Sequence, residues 1–217
     1  MKTLIAIPCM DMVHTEFFRS LMGSKMPPGE IAYSISASSL IYDARNKLTL
    51  EAIKSQCDRV MWLDSDMSFE PDIIQRLAAR MDEGYDMVTG LYFSRRGDYG
   101  PIIYKDVGVR EREDGKKEPY ANAYTDYPRN QLFKIAGCGF GAVMCSINVL
   151  TQVLVKFGLP FSPILGFGED ISFCTKVNQL GIQIYCDSSI KVGHVGYKVI
   201  TEEDHIKYMK TQKKSKH

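Results

Sequence analysis

The sequence predicts an α/β protein of one domain, built on a mostly parallel mixed central sheet flanked by helices, on three observations. Leu4 to Ile7 and Val60 to Leu63 are apolar at every position, as short strands buried on both faces of a sheet are. Stretches with apolar residues at helical spacing stand between such runs, as in Leu40, Ala44, Leu48 and Ala52. Glycine and proline punctuate the transitions, and no internal repeat or separable second domain is visible.

Leu4 to Ile7 is the first strand, stopped by Pro8, which has no N–H to give a ladder. A helix over Thr15 to Met22 is expected to bury Phe18, Leu21 and Met22 before Pro27-Pro28-Gly29 breaks the chain. Ile31 to Ser36 reads as a second strand, and Ser38 or Ser39 as the cap of the next helix. Val60 to Leu63 runs straight into Asp64-Ser65-Asp66. Glu70-Pro71 opens a helix whose stripe of Ile73, Ile74, Leu77 and Met81 stops at Gly84, and Asp86 to Leu91 is another strand.

Periodicity lapses over 94–131, which reads as an irregular binding loop or lid with a hairpin turn at Asp114-Gly115. Lys134 to Met144 is a strand interrupted by Gly137, Gly139 and Gly141, and Ser146 caps a helix through Phe157. Gly166-Phe167-Gly168-Glu169-Asp170 opens a helix carrying Phe173, Val177 and Leu180. Two short strands, Ile182 to Cys186 and Ile190 to Val192, precede Gly193-His194-Val195-Gly196. The domain thus spans 1–200, and 201–217 is a C-terminal helix, with Thr201 and Asp204 as a loose capping box, ending in a basic tail.

A chain of 217 residues can build a full core without disulfides or structural metal. Its 27 Lys and Arg balance 26 Asp and Glu, so no global field draws in nucleic acid or an anionic membrane. Lys207, Lys210, Lys213, Lys214 and Lys216 read as a solvated terminus. The 6 cysteines lack CxxC or zinc spacing and most sit in apolar surroundings, which suits free thiols in a reducing compartment. The apolar start is too short for a signal-peptide core and no run of about 18 apolar residues occurs, so a cytoplasmic location is expected.

Chemistry enters at Asp64 and Asp66. Two carboxylates spaced i, i+2 at a strand end face one side, and a divalent cation removes the repulsion between them. Oxygen ligands with open positions suit Mg²⁺ or Mn²⁺ carrying phosphate oxygens. The plain alternative is an acidic turn between strand and helix. His194, between two glycines at a strand end, is either a hydrogen-bonded structural residue or a nitrogen ligand that tilts the shell toward Mn²⁺. Glu169 and Asp170 either complement the dipole of the helix they begin or supply a base that takes a proton from an attacking hydroxyl.

In their order along the chain, Leu4 to Pro8, Ala44-Arg45-Asn46, Trp62 to Asp66, Gly137 to Met144, Gly168 to Cys174 and Ile190 to His194 resemble the landmarks of glycosyltransferase family 2 and related GT-A enzymes. The resemblance implies a single-domain GT-A (nucleotide-diphospho-sugar transferase) fold with the nucleotide at the C-terminal edges of the strands. It implies that Asp64 contacts the donor ribose or helps hold the metal, that Asp66 ligates the cation bridging the diphosphate, and that His194 is the third ligand. Asp170 becomes the general base, Glu169 its acceptor-binding neighbour, Arg45 a residue near the nucleotide, and Pro8 a border of the nucleoside pocket. The 94–131 segment then falls on the acceptor side.

The implied reaction is transfer of a sugar from a nucleotide-sugar, a UDP-sugar being one candidate, to a hydroxyl-bearing acceptor, with inversion. Where family members place an aspartate for the base, this chain has Ser34, Ser36, Ser38 and Ser39, with Asp43 a few residues later, so the base is not assigned. Two rivals share the fold. A metal-dependent nucleotidyltransferase needs a glycine-rich phosphate loop after the first strand, which Cys9-Met10-Asp11-Met12 does not resemble. A non-catalytic sugar- or nucleotide-binding protein would not need Asp66, Asp170 and His194 together.

Overall fold

The computed structural model describes residues 1–95, 97, 99–164, 166–196 and 199–214, and only the backbone of 213 and 214. Lys216 and the side chains of Lys213 and Lys214 therefore lie outside the described residues. The first half of the chain forms β1 (Lys2–Cys9), α1 (Thr15–Met22), β2 (Glu30–Ala37), α2 (Ile41–Lys54), β3 (Arg59–Leu63), β4 (Met67–Phe69), α3 (Ile73–Asp82), β5 (Met87–Leu91) and β6 (Ile103–Glu111). The rest forms β7 (Lys117–Ala123), β8 (Leu132–Ile135), β9 (Gly137–Cys138), β10 (Ala142–Ser146), α4 (Ile147–Phe157), α5 (Glu169–Gln179), β11 (Ile184–Val195), β12 (Val199–Ile200) and α6 (Glu202–Lys214).

The main sheet runs β12-β11-β5-β10-β3-β1-β2. Strands β2, β1 and β3 pair in parallel, as do β5 and β11, and β10 is inserted antiparallel between β3 and β5. Side-chain alternation explains why these strands are apolar throughout. Leu4, Ala6, Val60, Trp62, Val143 and Cys145 enter one buried cluster with α2, α4 and α5 residues. Ile5, Ile7, Met61, Leu63, Ala142 and Met144 enter a second with Phe17 of α1 and Ile73, Ile74 and Leu77 of α3. All 6 cysteines are free and buried. Among the described residues no helix is long and apolar enough to cross a membrane.

Several expectations need correction. Pro8 does not stop the first strand, which continues to Cys9; pairing with β3 ends at Ala6, so the missing N–H falls beyond that ladder. Helix α1 buries Phe17, while Phe18 and Met22 are exposed, because the helix rests on the sheet through a different face from the one assumed. The two short strands expected after Ile182 are one, β11, broken by a bulge between Asp187 and Lys191. The 94–131 segment is not irregular. It contains the hairpin β6–β7, closed by β9 into a second sheet, with Gly115 at φ +76° in the expected turn. Polar residues alternate with valine and tyrosine there because much of the hairpin is exposed, so no apolar run announces it.

Candidate active site

The C-terminal ends of β1 and β3 open into a cleft of about 570 Å³ lined by Pro8 to Thr15, Ile41, Asp64, Ser65, Asp66 and Arg95. Its acidic floor is a turn rather than a strand end. The Met67 N–H donates to the Asp64 carbonyl at 3.2 Å, so Asp64 to Met67 forms a tight reversal into β4. The two aspartates therefore do not share a strand face, although both line the cleft, and they have different partners.

Asp64 is engaged by Arg45, whose Nη2 lies 2.8 Å from Oδ1. Burial pushes the Asp64 carboxyl up to about 6; the Arg45 charge opposes this and the Asp66 charge adds to it. Arg45, expected near the nucleotide, does not itself line the cleft and reaches it only through Asp64. Its side chain is 3% exposed and its guanidinium carbon sits 5.2 to 6.0 Å from the ring centres of Trp62, Phe140 and Phe161. Its Nε approaches Glu169 Oε1 at 3.5 Å, and its buried Nη1 has no hydrogen-bond partner among the described residues. The aromatic faces are what surround it. Burial opposes its charge, but the surrounding Asp64, Glu169 and Asp170 charges outweigh that and raise its pKa.

Asp66 belongs to a second group. Oδ2 lies 2.6 Å from Arg95 Nη1 and 3.4 Å from His194 Nε2. Register explains His194: β11 pairs with β4 so that His194 opposes Met67, and the Val195 N–H donates to the Asp66 carbonyl at 2.7 Å. Gly193 permits that approach, since a Cβ there would press on Ser68 Oγ and Val199. Burial works against ionisation of Asp66, but the His194 hydrogen bond and the His194 and Arg95 charges prevail and lower its pKa. Nδ1 of His194 lies 3.0 Å from the Phe93 carbonyl, which only accepts, so Nδ1 carries the proton. Nε2 faces the Asp66 carboxylate, donating to it when the ring is protonated and offering a lone pair beside it when the ring is neutral.

The pair Asp66 and His194 fits a divalent cation by that chemistry. The full expected set does not assemble: Asp64 turns to Arg45, and no group of three or more metal-binding side chains forms among the described residues.

Helix α5 begins at Glu169 behind Gly168. The loop before it is fastened by Lys176, which donates to the carbonyls of Leu159, Pro160 and Ser162 at 2.9 to 3.2 Å. Asn46 Oδ1 accepts from Phe161 N at 2.9 Å, and Ser172 Oγ accepts from Ile164 N at 2.9 Å. Asp170 Oδ1 accepts from the Ile171 N–H at 2.7 Å, while burial and the neighbouring Glu169 charge raise its pKa. Ser34 within β2 and Ser38 after it are used locally: Ser34 bonds Glu51, and Asp43 takes a hydrogen bond from Ser38 and an ion pair from Lys47.

Two site residues were not foreseen. Tyr92 stands buried edge-on to His194, and its hydroxyl accepts from Gly141 N at 3.1 Å. The glycines at 139 and 141 exist for this ring, because a Cβ at either would overlap it. Arg95 comes four residues after the apolar β5, at the end of the sheet where Asp64 follows β3, and that placement is the signal that could have found it.

An α/β sheet with one antiparallel strand inserted, a cleft at its parallel strand ends and acids on the turn after β3 defines the GT-A class. Residues 44–150, just under half of the chain, match the model of the family described as glycosyl transferase family 2. That segment resembles glycosyltransferase family 2 and lies within a GT-A-type fold. The matched segment includes Arg45, Asp64 and Asp66 but not Pro8, Glu169, Asp170 or His194.

Among solved structures, the crystal structure of A197 from STIV superposes with a TM-score of 0.61 at 24% identity, covering 93% of this chain and 94% of that one. The crystal structure of GalNAc-T7 with UDP, GalNAc and Mn²⁺ superposes at 0.56 and 9% identity, covering 96% of this chain and 47% of the longer one. At these identities the likeness is one of fold. No curated protein sequence matches the chain.

Proposed function

We propose that the chain is a metal-dependent glycosyltransferase that moves a sugar from a nucleotide-sugar to an acceptor hydroxyl with inversion at the anomeric carbon. The observation that carries this reading is the pairing of a nitrogen and an oxygen donor, His194 Nε2 and Asp66 Oδ2 at 3.4 Å, at the edge of a cleft fit for a nucleotide. Asp66 and His194 would hold Mn²⁺ or Mg²⁺, the nitrogen ligand favouring Mn²⁺. That cation, when bound, supplies charge to stabilise the departing nucleoside diphosphate. A neighbour in the GT-A class, GalNAc-T7, was solved with UDP and Mn²⁺, which supports the choice of ligands.

The chain's own residues do the rest. Pro8 and the residues to Thr15 frame the nucleoside, and Asp64, fixed by Arg45, faces the ribose or the cation. Glu169 orients the acceptor beside Asp170. The acceptor oxygen attacks the anomeric carbon, its proton passes to the Asp170 carboxylate, and the bond from that carbon to the diphosphate breaks. A base with a raised pKa is suited to this, since it holds the proton better at neutral pH. The β6–β7 hairpin lies on the acceptor side: Pro119 touches the position of Gly166, just ahead of the acidic helix start.

Thermal shift with nucleoside diphosphates and nucleotide-sugars, with and without Mn²⁺, tests the proposal. Ligand at a hundred times its Kd adds about 2.7 kcal/mol, roughly 5 to 10 °C for a chain of this size. Stabilisation that requires Mn²⁺ and vanishes in Asp66→Ala supports it. If no nucleotide shifts the melting point in either condition, it fails. The anomeric configuration of the first-formed product tests inversion, and retention would remove Asp170 from the role of base.

A further inference from the structure

Arg95 is the first residue beyond a pinned stem. Phe93 bridges Pro101, and the Ser94 N–H donates to the Gly100 carbonyl at 2.8 Å. From there its Nη1 reaches Asp66 Oδ2 at 2.6 Å and the Val195 carbonyl at 3.0 Å. The guanidinium therefore neutralises the same carboxylate oxygen that faces His194 Nε2. Unlike Arg45, it is wet: its side chain is 34% exposed against 3%. It also lines the cleft that Arg45 does not.

We propose that Arg95 is an exchangeable counter-ion, which holds Asp66 while the cleft is empty and passes to the diphosphate of the donor when a divalent cation takes its place. This rests on reading Asp66 as the cation-binding acid. The exchange is chemically matched. A guanidinium pairs with phosphate oxygens as well as with a carboxylate, and its planar fork can follow either. Leaving Asp66 releases the one acceptor that the incoming cation needs, and the released arginine stays at the cleft wall where a diphosphate would lie. The charges of the incoming cation and diphosphate offset each other once both are bound, so neither Asp66 nor the diphosphate is then left without a cation.

The two halves of the proposal predict opposite signs from one substitution. In Arg95→Gln, Mn²⁺ alone, measured by electron paramagnetic resonance of the free ion, should bind about tenfold more tightly, because its competitor is gone. In the same variant UDP and inorganic pyrophosphate, titrated calorimetrically at saturating Mn²⁺, should bind about tenfold more weakly. Arg95→Lys should lie between wild type and Arg95→Gln in both measurements. Weaker Mn²⁺ binding in Arg95→Gln would show that Arg95 merely orients Asp66 and would overturn the proposal. So would unchanged diphosphate affinity. If neither wild type nor Arg95→Gln binds Mn²⁺, the metal reading itself is wrong and the exchange goes with it. A thermal melt of Arg95→Gln within a few degrees of wild type confirms that the variant folds.

Discussion

Replacing Arg45 by methionine removes the cation between Asp64 and Glu169 while keeping an apolar chain among Trp62, Phe140 and Phe161. Breaking a buried ion pair from one side costs about 3 to 5 kcal/mol, because a charge is left without compensation. The structure puts this case toward the upper end, since Arg45 is 3% exposed, Asp64 25% and Glu169 17%, and two acids lose one partner. The cost should depend on pH with a definite sign. Asp64 is held at about 6 in the folded chain, against about 3.9 in an unfolded one. A carboxylate raised in the folded state destabilises it above the folded pKa, by about 3 kcal/mol here, and the cost disappears as pH falls toward the unfolded pKa. Without Arg45 that window moves upward.

The loss in Arg45→Met should therefore be largest near pH 8 and clearly smaller near pH 5. Adding Asp64→Asn should recover most of it at pH 8, since the unpaired charge is then absent. Urea unfolding followed by the fluorescence of Trp62, the chain's 1 tryptophan, reads the change beside the site. A loss below about 1 kcal/mol that is equal at the two pH values would refute the claim that the pair is desolvated and coupled.

Three further outcomes follow from the same structure. Ser146→Ala removes the oxygen that accepts from Val149 N at 3.3 Å, and should cost about 1 kcal/mol in the same urea experiment. Gly141→Ala should cost about 1 to 3 kcal/mol, because its methyl meets Met67 and the Tyr92 ring; a neutral result would mean that Tyr92 moves freely. Asp170→Asn should abolish transfer while leaving Mn²⁺-dependent UDP binding intact by calorimetry. The acid limb of wild-type kcat/KM should then lie above the ordinary carboxylate range, in keeping with the raised pKa of Asp170.

The fold was legible where burial acts on both faces of an element. Val60 to Leu63 had to be apolar throughout, and the Ser146 cap and the Asp114-Gly115 turn carry their chemistry in the residue types themselves. The β6–β7 hairpin was not legible, because a sheet with much exposed surface keeps no apolar run and its alternation is diluted by charge. Within the site, Asp66 and His194 meet through the β4–β11 register, which no spacing along the chain displays. What spacing could not show was the partner of each acid. Arg45 and Arg95 lie 19 and 29 residues from Asp64 and Asp66 in the chain, and only the packed fold brings them there. Lys176 is a similar case: a helix lysine with the pattern of a surface residue is buried because three loop carbonyls accept hydrogen bonds from its ammonium group.

The two arginines also bear on how ligands enter. With Arg45 against Asp64 and Arg95 against Asp66, each floor acid of the resting cleft already has a cation. A diphosphate arriving alone would compete for Arg95 and expose Asp66 to its own negative charge. A divalent cation arriving alone would displace Arg95 into solvent. Arriving together, each relieves the cost that the other creates, so binding should be mutually dependent. Linkage then fixes a strict equality: the factor by which Mn²⁺ tightens UDP must equal the factor by which UDP tightens Mn²⁺. Calorimetric titrations in both orders measure the two factors, which are expected to agree and to shrink together in Arg95→Gln. Factors that stay large in Arg95→Gln would mean that direct contact between cation and diphosphate carries the coupling without the arginine.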